Sequence, residues 1–115
     1  MWIMIAGPYR SGAASGEERA ANLRILNEAA VSLRRAGHVP VIGVNMALPM
    51  IEAAGGSEAA YDEIMLPVSL ALADRCDACL RVGGPSADAE VSRFNSIGRP
   101  VYYALSEIPA PEVHE

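Results

Sequence analysis

The segment Gly7-Pro8-Tyr9-Arg10-Ser11-Gly12 gathers three kinds of hydrogen-bond donor in six residues. A glycine-bounded loop that opens a helix presents free backbone N–H groups and the positive end of the helix dipole. Arg10 adds a planar, bidentate donor suited to phosphate, and Ser11 adds a hydroxyl. The two glycines are spaced as in a Walker A loop, but Ala13-Ala14 stand where lysine and Ser/Thr are required. This argues against nucleoside triphosphate hydrolysis, and the dinucleotide fingerprint G-x-G-x-x-G is absent as well. The bland alternative for this segment is a turn carrying a solvated arginine.

A second cluster is Ser86-Ala87-Asp88-Ala89-Glu90. Ser86 is a candidate N-cap, with Glu90 about one turn into the helix it would start. A helix N-terminus favours negative charge. A carboxylate on such a rigid element, facing a sugar, can serve as nucleophile at an anomeric carbon. Equally, Asp88 and Glu90 could do no more than complement the dipole. Around these clusters, Tyr9 offers an apolar face for a base, and Met46 is a further candidate for a pocket wall. Asn45 could read a base edge or a ribose hydroxyl, or bond its own backbone as loop asparagines do. Asp62 and Glu63 read as a solvated helix face, and Asp74 and Asp77 as surface or capping residues.

The elements that would position these residues follow from hydrophobic spacing. Trp2 to Ala6 is an apolar run closed by Gly7-Pro8, as in a buried parallel strand. Ser15 with Glu18 forms a capping box for a helix carrying Leu23, Leu26, Ala30 and Leu33, which Gly37 ends. Val39 to Val44 is a second strand, with Pro40 suited to an edge. A loop with a short helix over about 45–54 follows, broken by Gly55-Gly56. Ser57, Ala60, Ile64, Val68 and Leu72 mark a long helix that Pro67 should kink or split. Ala78 to Val82 is a third strand, Ser86 to about Ile97 a helix, and Pro100 to Leu105 a fourth strand.

Strands alternating with helices predict an α/β fold, with a parallel sheet covered on both faces. Ligands bind beyond the carboxyl ends of such strands. The loops at 7–12, 43–49 and 83–88 share that rim, whereas His38 and Arg99 lie at the opposite one. Residues 1–107 form one domain, and the two-proline tail at 108–115 is expected to be loosely held.

With 115 residues, 51% hydrophobic and 20% charged, the chain has ordinary globular composition. A net charge of −5 argues against a nucleic-acid partner. All nine basic residues are arginine, which rules out Schiff-base chemistry on lysine. No apolar run is long enough to span a bilayer, and the first residues lack the basic region of a signal peptide. The Cys76-x-x-Cys79 pair follows a helix and enters a strand, the wrong end of a helix dipole for a reactive thiolate. With His38 and His114 the only histidines, a metal site is not expected. Reduced cysteines suit the cytoplasm.

Taken together, several segments resemble the nucleoside 2-deoxyribosyltransferase-like superfamily, which includes deoxynucleoside 5′-monophosphate N-glycosidases. The matching stretches are Ile5 to Ser11; Asn22; Ala36-Gly37-His38-Val39-Pro40; Ser69 to Ala78; Gly84 to Val91; and Gly98 to Tyr102. Order and spacing carry the likeness across nearly the whole chain. The resemblance implies a flavodoxin-like three-layer α/β/α fold with a four- to five-stranded parallel sheet. It also implies cleavage or transfer at an N-glycosidic bond, without metal or other cofactor. By position, Glu90 matches the family's glutamate nucleophile. Gly7, Tyr9, Arg10 and Ser11 match the loop holding sugar and phosphate, and Ser86 a phosphate-contacting serine, with Asp88 and Asn45 as further substrate contacts. Ser69 stands where the family usually carries an aspartate that positions the sugar or protonates the base. The stretch from Ser86 to Glu90 is also shorter than usual. Relatives assemble as dimers or larger homo-oligomers, for which the apolar stretch from Val44 to Ile51 is a candidate contact. These departures leave a rival expectation, a module of the same fold that binds or senses a nucleotide without cleaving it. A small assembly module with a vestigial rim is a third.

Overall fold

The computed structural model describes residues 1–10, 13–84 and 88–111. Strand β1 (Trp2–Ala6) leads through α1 (Gly16–Arg35) to β2 (Val39–Val41). Helices α2 (Gly43–Ala53) and α3 (Glu58–Ala73) follow as a hairpin, then β3 (Ala78–Arg81), α4 (Ala89–Ser96), β4 (Val101–Tyr102) and a 3₁₀ turn at Leu105–Glu107. The strands form one parallel sheet in the order β2-β1-β3-β4. That is the flavodoxin-like order over its first four strands, with a topological switch point between β1 and β3.

Alternation along β1 divides the core. Ile3 and Ile5 pack with Leu26 and Leu33 of α1, Ile42, Ala78 and Leu80 on one face of the sheet. Met4 and Ala6 pack with Ala73, Cys76, Cys79, Val91 and Phe94 on the other, beneath α3 and α4. A third apolar cluster, Ala47, Ile51, Ala60 and Met65, holds α2 to α3. The expected three-layer α/β architecture is therefore present.

Local signals act as their chemistry requires. The Glu18 N–H donates to Ser15 Oγ at 3.2 Å, while Glu18 Oε2 accepts from the Ala14 N–H at 2.6 Å. His38 is buried, and its Nδ1 lies 3.1 Å from the N-terminal ammonium. Ile108 packs against the first core cluster and Pro111 lies over Gly37, so the tail is anchored at least to residue 111.

Several boundaries differ from expectation. The second strand does not run to Val44, because Ile42 is the N-cap position of α2 and Gly43 already lies in that helix. A Cβ on Gly43 would stand 2.2 Å from Ser69 Oγ, so only glycine permits α2 to approach α3 this closely. The short helix expected over about 45–54 is present but starts earlier, at Gly43, so the rim segment 43–49 is helical rather than a loop. Pro67 does not split α3, which is continuous from Glu58 to Ala73; the proline is exposed, and neighbouring Met65 is packed on α2. The third strand ends one residue early at Arg81, although the Val82 N–H still donates to the Ala6 carbonyl at 2.9 Å. The fourth is only Val101–Tyr102, an edge strand paired to β3 alone. Helix α4 starts at Ala89, with Asp88 in the N-cap position making no side-chain cap bond. The proposed Ser86 cap lies outside the described residues.

Candidate functional site

Beyond the carboxyl ends of β1 and β3 lies an open cleft of about 310 Å³. Its floor is the segment Gly7, Pro8, Tyr9 and Arg10; one wall is the α3 side chains Tyr61, Asp62, Met65 and Leu66; the other is Ala89 and Glu90. The floor is fixed by close packing. A Cβ on Gly7 would meet the Val82 carbonyl oxygen at 2.4 Å, so the chain turns out of β1 against the end of β3 only because residue 7 is glycine. Asn22 of α1 donates its Nδ2–H to the Tyr9 carbonyl at 2.9 Å and ties the loop to the first helix.

Arg10 crosses the cleft toward α3. Its guanidinium lies 3.9 Å from the centroid of the Tyr61 ring and forms an ion pair with Glu58. That pairing and the hydrogen bond from Arg10 hold the guanidinium's pKa above its usual value, whereas burial raises that of the Tyr61 hydroxyl. A second hollow of about 430 Å³ adjoins the first through Tyr9, Arg10 and Tyr61, and reaches Arg19 and the start of α3 at Ser57. Among the described residues, the lining of the first cleft thus combines Arg10, the tyrosines Tyr9 and Tyr61, and the carboxylates Asp62 and Glu90.

Glu90 owes its place to α4. Arg81, at the end of β3, donates from Nε to Asp88 at 2.6 Å, from Nη2 to the Gly84 carbonyl at 2.6 Å, and from Nη1 to the Val82 carbonyl. With only 10% of its side chain exposed, Arg81 ties the end of β3 and Gly84 to Asp88 at the N-cap of α4. Asp88 and Arg81 line a separate hollow with Gly83, Gly84 and Tyr103.

Of the residues singled out from sequence, the structure brings Gly7, Tyr9, Arg10 and Glu90 into one cleft. Asn45 is elsewhere, on α2, donating to Asn27 Oδ1 at 2.7 Å. Ser69 is 2% exposed and packed on Gly43, away from the cleft lining. Asp88 serves Arg81, and Met46 is exposed on α2. Ser11 and Ser86 lie outside the described residues. Tyr61 and the role of Arg81 were not legible in the sequence, whereas Asp62 is exposed on α3, as expected of a solvated helix face, and also lines the cleft. Tyr61 with Met65, and Asp62 with Leu66, are i,i+4 pairs on α3, but that spacing does not say which helix face overhangs the rim.

The cysteines lie apart from this chemistry. Both are buried and unbonded to each other, and burial pushes the Cys76 thiol up to about 11 and the Cys79 thiol up to about 12. The negative charge of Glu90 adds to the rise at Cys79. Neither is a thiolate near neutral pH. Among the described residues, no group of His, Cys, Asp and Glu is arranged to hold a metal ion, and no helix is long and apolar enough to cross a membrane. The chain matches no protein-family model and no curated protein sequence.

Proposed function

We propose that this protein cleaves or transfers the N-glycosidic bond of a nucleoside or nucleoside 5′-monophosphate, with Glu90 as nucleophile. The observation that carries the reading is the shared cleft of Glu90, Arg10 and Tyr9 at the switch point of a parallel sheet. In the first step Glu90 attacks C1′ of the sugar as the bond to the base breaks, through an oxocarbenium-like transition state. Water or a second base then resolves the glycosyl-enzyme. Tyr9 and Tyr61 supply aromatic faces for the base, and Arg10, on exchanging Glu58 for ligand, takes the 5′-phosphate. Ser11 and Ser86 complete the anion contacts in this reading. It further takes the protein to be cytoplasmic and to form a homo-oligomer through the exposed Met46 and Met50 of α2.

Incubation of the purified protein with a panel of nucleosides and their monophosphates should release free base, and Glu90→Ala should abolish the release. Equal behaviour of wild type and variant across the panel would rule out the catalytic assignment. One observation favours a second reading, a nucleotide-binding module without turnover: Ser69, aligned with the expected aspartate, is buried and presents no carboxylate to the cleft. Ligand that raises the melting temperature yet is recovered intact would support it.

A further inference from the structure

The site as read from sequence has a nucleophile but no acid to protonate the departing base. A base anion is a poor leaving group, so efficient cleavage of a neutral nucleoside needs a proton donor within reach of a ring nitrogen. Ser69 cannot supply it, being an alcohol buried against Gly43. Two turns earlier on the same helix, Asp62 lines the same cleft as Glu90. It stands next to Tyr61, whose ring carries Arg10.

Resting on the glycosidic reading above, we infer that Asp62 is the acid–base catalyst of this cleft, partnering Glu90. Two carboxylates flanking the scissile bond, one acting as nucleophile and one carrying the proton, are the general requirement for glycosyl transfer with a covalent intermediate. In the first step a Glu90 oxygen bonds to C1′ and the C1′–N bond breaks. Its electron pair passes to the base nitrogen, which takes the proton from the Asp62 carboxyl group. In the second step a water oxygen bonds to C1′, and the ester bond to Glu90 breaks with its electron pair returning to the carboxylate. The Asp62 carboxylate takes up the proton that water releases. Both groups end as they began, and one water is consumed per bond cleaved.

This role is separable from a structural one because it depends on the leaving group. A neutral purine deoxynucleoside needs protonation to leave, whereas its 7-methylpurinium counterpart departs as a neutral base without it. Base release from both substrates should be followed for wild type, Asp62→Asn and Glu90→Gln. Asp62 is exposed, so the asparagine variant should melt with wild type. Asp62→Asn should lose about 10²–10⁴-fold in kcat/KM on the neutral substrate and less than about tenfold on the cation. Glu90→Gln should lose activity on both. If wild type and Glu90→Gln behave as stated but Asp62→Asn is fully active, or loses equally on both substrates, the acid–base role of Asp62 is wrong while the glycosidic reading stands. If wild type releases base from neither substrate, the glycosidic reading itself fails and takes this inference with it.

Discussion

Replacing Gly43 by alanine tests the contact that fixes α3, and with it the Tyr61–Asp62 wall of the cleft. An alanine Cβ there would lie 2.2 Å from Ser69 Oγ, 2.9 Å from its Cβ and 3.1 Å from its Cα. Ordinary carbon contacts are near 3.5–4.0 Å. A hydroxyl can rotate away, but Cβ and Cα move only with the helix, so α2 and α3 must separate. Overpacking of this kind costs about 1–3 kcal/mol. For a domain of this size that is a fall in Tm of roughly 4–15 °C. Thermal and urea unfolding of Gly43→Ala, Ser69→Gly and the double variant would measure it. Ser69→Gly alone should cost about 0.5 kcal/mol through helix propensity. Because it removes the two nearest atoms, the double variant should be more stable than the summed single effects by about 1 kcal/mol or more. Strict additivity, or a Gly43→Ala protein that melts with wild type, would mean that the two helices do not meet there.

Ser69→Asp should not create a better enzyme: a carboxylate forced into a site that is 2% exposed should cost about 3 kcal/mol or more, seen as a lowered urea midpoint near neutral pH. A stable variant with raised base release would contradict this placement of Ser69. Arg81→Ala should cost about 2–3 kcal/mol by leaving Asp88 and the carbonyls of Val82 and Gly84 without their charged donor. Arg81→Lys should recover less than half, since an ammonium cannot reproduce the guanidinium fork. Unfolding midpoints identical to wild type in both variants would show that the turn after β3 does not depend on Arg81.

Much of the fold was legible from short-range chemistry. The apolar run from Trp2 to Ala6, the Ser15–Glu18 cap and the glycine stops at Gly37 and Gly98 needed no tertiary context, and Gly37 and Gly98 indeed take φ values of 93° and 72°. The end of β2 was not legible, because an apolar run such as Val39 to Val44 suits a strand or a buried helix equally. What decides it is the approach of Gly43 to Ser69, twenty-six residues away in sequence. Of the two outcomes expected at Pro67, a kink or a split, the split does not occur: tertiary packing along α2 and α3 outweighs a single missing helical hydrogen bond. At the site, Gly7, Tyr9, Arg10 and Glu90 were found because strand ends and helix starts name the rim of a parallel sheet. Tyr61 and Asp62 were not, since their position depends on how the α2–α3 hairpin leans over that rim.

The most direct test of Glu90 as nucleophile is to trap it. A nucleoside fluorinated at C2′ of its sugar destabilises the oxocarbenium-like transition states, and with a reactive leaving group it should leave the glycosyl-enzyme to accumulate. Mass spectrometry of the intact protein and its peptides should then show one added glycosyl mass, carried by Glu90 and lost in Glu90→Gln. An adduct on a different residue, or base release from the unfluorinated substrate that survives Glu90→Gln, would contradict the account.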